Sequence, residues 1–166
     1  MSWSSRPGRT SGVTLLELLV TLVIMSILAS AALPYAELTI RRNNELELRH
    51  ALREVRTAID EFHNDWKNGK ISRHNSYASE DGYPVSLDVL VNGVDTGKAD
   101  GKKRYYLRKL PRDPFKKSSQ VRSDELWELR GYQDPPDRLS WNGKDVYDIH
   151  SSSPDTAIDG SYYREW

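Results

Sequence analysis

A single carboxylate interrupts the apolar run that opens near the start of this chain. Glu17 lies in Gly12-Val13-Thr14-Leu15-Leu16-Glu17-Leu18-Leu19-Val20, and Leu18 to Ala36 adds 19 uncharged residues. At about 1.5 Å per residue such a helix crosses a hydrocarbon core of about 30 Å. A charge near the bilayer centre costs about 2.5–3.5 kcal/mol on insertion scales, so Glu17 needs a partner or a purpose. One reading makes Thr14 and Glu17, as T-x-x-E, a capping box for the first helical amides. The other applies if the chain is cut before Val13: a neighbouring subunit's new ammonium then neutralises Glu17 inside the membrane.

Other chemistry is hard to find. His50, His63, His74 and His150 are dispersed without an H-E-x-x-H or other metal-ligand spacing. No nucleophile elbow, P-loop or dinucleotide glycine fingerprint occurs. The reading is therefore of a protein that is not an enzyme. Its 24 basic and 24 acidic residues cancel, which points away from nucleic acid as a partner.

The elements that must position Glu17 follow from the pattern around it. Residues 1–12 carry Arg6 and Arg9 and no acid, so the positive-inside bias keeps this end cytoplasmic and delivers the chain after Ala36 outside. Ala29-Ser30-Ala31 offers a rival, an ordinary signal-peptidase site releasing a soluble protein from Ala32. Against it, Glu17 falls inside the apolar region and Pro34 crowds the cut. Pro34 is expected to bend the helix over 13–36 and not to end it, because the pattern resumes beyond.

From 37 to 67 the helix turns amphipathic. Leu48, Leu52, Val55, Ile59, Phe62 and Trp66 form one stripe at helical period with Ala51 and Ala58 beside it, while Arg49, Arg53, Glu54, Arg56, Asp60 and Glu61 take the other face. Asn68-Gly69 stops it. The remainder, 68–166, is large enough for one small head. It is expected to hold a short helix from Ser86 to Val91 capped by Ser86, and an exposed loop from Asp95 to Arg104. Strands are expected over Leu126–Tyr132 and Asp145–His150, forming an antiparallel sheet laid on the spine, an α+β fold. Cysteine is absent, so another staple is wanted, a metal or subunit contacts. Tyr162, Tyr163 and Trp166 are expected to pack against the sheet or a neighbour.

The basic leader, Gly12, the run opening with Thr14 and Glu17, and Pro34 about twenty residues on resemble the type IV pilin-like signal. The resemblance implies cleavage by a prepilin peptidase between Gly12 and Val13, N-methylation of Val13, an assembly role for Glu17 and a helix bend at Pro34. Val13 departs from the Phe or Met usual at the first mature position. Tyr83-Pro84, Leu110-Pro111-Arg112-Asp113-Pro114-Phe115 and Asp145-Val146-Tyr147-Asp148-Ile149-His150-Ser151 extend the likeness to the major pseudopilin of type II secretion systems. That family implies a homo-oligomeric periplasmic filament drawn from the inner membrane, with minor pseudopilins and an inner-membrane assembly platform as partners. It also implies calcium in the loop Ser151 to Gly160, held here by Asp155 and Asp159. Two alternatives stand beside it, a type IV pilin forming a surface fibre and a membrane-anchored periplasmic binding domain that does not assemble.

Overall fold

The computed structural model describes residues 12–72, 76–97, 101–116, 125–135 and 140–166, with the side chains of 31–33 outside the description. The expected leader, apart from Gly12, and His74 lie outside the described residues. The chain divides into two units, Met1–Ile40 and Arg41–Trp166. One helix, α1 (Leu15–Lys67), contributes to both.

In the first unit α1 starts where the local chemistry says it should. Thr14 Oγ1 accepts the Glu17 amide at 3.2 Å and the Thr14 carbonyl accepts the Leu18 amide at 3.1 Å, the N-terminal half of a capping box. Polar side chains inside the apolar run turn back on their own helix. The Thr21, Ser26 and Ser30 hydroxyls donate to the carbonyls of Leu18, Val23 and Ile27 at 2.8–2.9 Å, so no hydroxyl needs water. The helix continues through Pro34, which supplies no amide to the ladder. No part of the apolar window is buried within the molecule, and Leu15 to Leu28 leave their large side chains 47–81% exposed.

In the second unit the stripe becomes the core. Leu48, Val55, Ile59 and Phe62 are fully buried and Ala51, Leu52 and Ala58 nearly so. Full burial of such side chains stabilises by roughly 1.5–3 kcal/mol each, which outweighs any helix propensity here. Trp66 at the end of the stripe is only partly buried. Asn68-Gly69 ends the helix as expected, with Gly69 at φ +67 and the Lys70 amide on the Asp65 carbonyl at 2.9 Å. The next turn needs a glycine: Gly82 sits at φ +83, and a Cβ there would lie 2.3 Å from the Trp66 ring.

The sequence-derived elements shorten or shift in the head. The short helix α2 covers Asp88–Asn92, with Leu87 at its N-cap in helical geometry and no side-chain cap. Ser86 supplies only its carbonyl, to the Val89 amide at 3.3 Å. Burying Leu87, 1% exposed, decides where the turn begins. The loop expected from Asp95 to Arg104 has paired ends. Strand β1 (Val94–Asp95) runs antiparallel to β2 (Lys103–Arg104), and the Asp95 carboxylate turns the chain by accepting the Gly97 amide at 2.8 Å.

The two longer strand expectations contract to β3 (Glu128–Arg130) and β4 (Asp148–His150), antiparallel with Leu129 opposite Ile149. Their outer residues have other work. Trp127 is buried with its indole N–H on the Pro111 carbonyl at 3.0 Å, and Asp134 folds Gly131 into a turn by accepting its amide at 2.9 Å. Val146 gives its amide to Pro84, and the Asp145 carboxylate accepts the Tyr132 amide and the Ser79 hydroxyl. The single expected sheet is thus two separate two-stranded ladders among the described residues, and the α+β architecture of long helix plus antiparallel strands stands.

Candidate functional site

At the N-terminal segment, Gly12 and Val13 are exposed and precede α1. A Cβ at Gly12 would meet no heavy atom within 4 Å and the residue does not adopt a positive φ, so the fold does not require glycine there. Glu17 gives its amide to Thr14, while its carboxylate has no partner among the described residues. Capping therefore uses Thr14 and the Glu17 backbone and leaves the charge itself unsatisfied.

The C-terminal loop carries Asp155 and Asp159, both exposed. Asp159 accepts the Ser161 amide and hydroxyl at 3.0 and 2.6 Å and lies 3.5 Å from Arg49; the Ser161 bonds, then Arg49, hold its carboxyl below the ordinary 3.8. The nearby serine oxygens are also engaged. Ser151 donates to buried Asp113 at 2.6 Å and accepts the Ser153 amide, and Ser153 accepts the Asp155 amide. Among the described residues no three acidic or histidine side chains converge on one point. A calcium ion, which takes six to eight oxygens, has to draw Asp159 away from Arg49 and recruit backbone oxygens to bind here.

This loop is held by side chains of α1 that sequence reading placed on a solvated face or passed over. Glu45, 8% exposed, accepts the Ile158 amide at 2.8 Å and the Tyr163 hydroxyl at 2.9 Å. Arg41 donates to the Tyr163 hydroxyl and to the Thr156 carbonyl. Arg49 adds a cation-π contact 4.2 Å above Trp166. Arg56 bonds Asp148 at 2.7 Å and the carbonyls of Ile149 and Trp166. Tyr163 is fully buried and stacks on Phe115 with centroids 4.1 Å apart, so the expected packing of the terminal aromatics holds for Tyr163. Burial, then Glu45, pushes its phenol above 10.0 against the pull of Arg41, which keeps it a donor to Glu45.

The signal for this clasp was present. Glu45 precedes Leu48 by three residues and so continues the buried stripe with a carboxylate, and Asp65 does the same three residues after Phe62. Both carboxylates are buried, and Asp65 is met by Lys70, Arg104 and the Tyr106 hydroxyl. An acid at a core register position needs partners from elsewhere in the fold. Among the described residues, His63 and His150 pack against the head and His50 does not. His63 stacks on Tyr83 at 4.2 Å, His150 meets the Trp166 carbonyl, and His50 is largely exposed.

Residues 8–33 match the family described as the prokaryotic N-terminal methylation motif, a span that includes Gly12, Val13 and Glu17. Comparison with curated proteins and with solved structures returns no significant match. The motif supports a type IV pilin-like chain and implies, in general, processing by a prepilin peptidase and assembly into a filament. The apolar stretch of α1 is long enough to cross a membrane once.

Proposed function

We propose that this chain is a structural subunit of a type II secretion pseudopilus, a periplasmic filament that helps push folded proteins through an outer-membrane channel. One observation carries the reading. Within the matched methylation motif, Glu17 holds a carboxylate with no partner among the described residues, in an apolar stretch of α1 that is not buried. A charge and an apolar surface left open together are complementary to the same features on a second copy, once cleavage frees the Val13 ammonium. The subunit is then a single-pass inner-membrane protein with its head in the periplasm, taken up by the assembly platform and capped by minor pseudopilins. Absence of cysteine and the head segments Tyr83-Pro84, Leu110 to Phe115 and Asp145 to Ser151 favour the pseudopilus over a surface fibre.

Intact-mass measurement on membrane-extracted protein is expected to give a chain beginning at Val13 with one added methyl group. A start at Ala32 overturns the processing. Glu17→Leu is expected to leave cleavage and insertion unchanged and to abolish filaments; mutant filaments at wild-type yield overturn the assembly role. Deleting the subunit is expected to stop secretion of folded cargo, whereas loss of surface fibres with secretion intact assigns it to a pilus.

A further inference from the structure

Two charged walls run side by side along one face of the head without neutralising each other. One is α1, where Glu47, Glu54 and Glu61 recur every seven residues and are all exposed. The other is the segment 106–112, with Arg108, Lys109 and Arg112 exposed. Residues 106–108 share a groove with His50 to Glu61, and residues 109–112 share one of about 630 Å³ with Glu47 to Glu54. The segment therefore runs antiparallel to the helix. Ala51, Ala58 and Leu107 are buried along its floor.

The basic wall has lost its own counter-charge. Between Lys102 and Lys116 the one acid is Asp113, which is 2% exposed and spent on the Phe115 amide and the Ser151 hydroxyl. Arg41, Arg49, Arg56, Arg104 and Arg130 each hold an oxygen partner in the head. Arg108, Lys109 and Arg112 hold no anionic partner among the described residues. Across the groove Glu54 meets His50 at 3.8 Å, and Glu47 and Glu61 have no cationic partner among the described residues. Arg53 is a cation on this same wall.

Parallel walls of opposite sign on one face are self-complementary. A two-fold axis along the groove lays the acidic wall of each copy on the basic wall of the other, the isologous arrangement. It leaves the head portions of the two α1 helices pointing the same way. We propose that this face docks a second copy of the chain, with Glu47, Glu54 and Glu61 of each against Arg108, Lys109 and Arg112 of the other. The pairing rests on the pilin-like reading for membrane anchoring alone and does not need the filament.

Single-cysteine variants of the full chain in membranes test it, because the chain has no cysteine of its own. Differently tagged copies bearing Glu54→Cys and Lys109→Cys are expected to form a mixed disulfide in preference to Glu54→Cys with itself. Reversal of the acidic wall (Glu47→Lys, Glu54→Lys, Glu61→Lys) is expected to abolish chemically crosslinked dimers. Adding Arg108→Glu, Lys109→Glu and Arg112→Glu to the same chain is expected to restore them, which repair of a misfolded head would not do. Dimers that survive the first reversal, or that do not return after the second, overturn the proposal. The same measurements in a Glu17→Leu background separate the two readings. Pairing there without filaments in the parent chain refutes the filament alone, and filaments without pairing refute the docking face alone.

Discussion

Glu17 and Glu45 lie on one helix 28 positions apart and meet opposite fates. Glu17 finds no counter-charge among the described residues, whereas Glu45 is enclosed by the Ile158 amide and the Tyr163 hydroxyl. An unmade bond to a buried carboxylate costs more than the made bond contributes. Tyr163→Phe keeps the ring stacked on Phe115 but removes the donor to Glu45, and is expected to destabilise the head by about 1–3 kcal/mol, read from urea unfolding. A loss below the error of that measurement refutes the clasp as a source of stability. His150 provides a pH test. Burial holds its imidazole below the ordinary 6.5, against Asp148 and the Trp166 carbonyl, which raise it, and with Arg130 and Arg56, which lower it further. The unfolded chain then binds the proton more readily, so this contribution is present above pH 6.5 and is lost as pH falls below it. His150→Gln is expected to flatten the decline in unfolding midpoint between pH 7 and pH 5.5; an unchanged slope assigns the decline to other groups.

At the level of elements, the loop Ser151 to Gly160 closes through its own serines, Asp159 and the arginines of α1. The Ser151 and Ser153 hydroxyls and the Asp159 carboxylate already hold partners: Ser151 with Asp113, Ser153 with the Asp155 amide, and Asp159 with Ser161 and Arg49. Melting of the full chain in detergent is therefore expected to coincide in millimolar calcium and in chelator. Ligand binding to the folded state at a hundredfold excess over Kd adds about 2.7 kcal/mol, so an upward shift in calcium would be easily seen and would make the ion a staple of the head. The strands show the same priority of side-chain contacts over ladder length. Trp127 and Asp145 sit where a longer strand would have run, and each is satisfied by a partner outside the sheet.

For the molecule as a whole, the buried hydrophobic residues run from Leu48 to Tyr163, all within the second unit. Among the described residues of the first unit no hydrophobic side chain is buried. A fragment from Arg41 onward is expected to be soluble and to unfold in one cooperative thermal transition followed by circular dichroism. A broad, non-cooperative melt would mean that the apolar part of α1 is needed for the head to fold.

What the sequence by itself determined is whatever depends on neighbours a few residues apart: the apolar run and its single carboxylate, the stripe from Leu48 to Phe62, and the stop at Asn68-Gly69. Helical periodicity and caps are local, so one-dimensional order suffices to read them. The tertiary structure alone decided what holds the head closed. Arg41, Glu45, Arg49 and Arg56 reach residues more than 90 positions away, and spacing along the chain carries no record of such pairs. Strand ends were decided in the same way, because a buried Trp127 or Asp145 must satisfy its polar atoms before the backbone can extend a ladder. The charged walls belong to both levels. The seven-residue recurrence of Glu47, Glu54 and Glu61 is written in the sequence, but their placement beside Arg108, Lys109 and Arg112 exists only once the 106–112 segment lies back along α1.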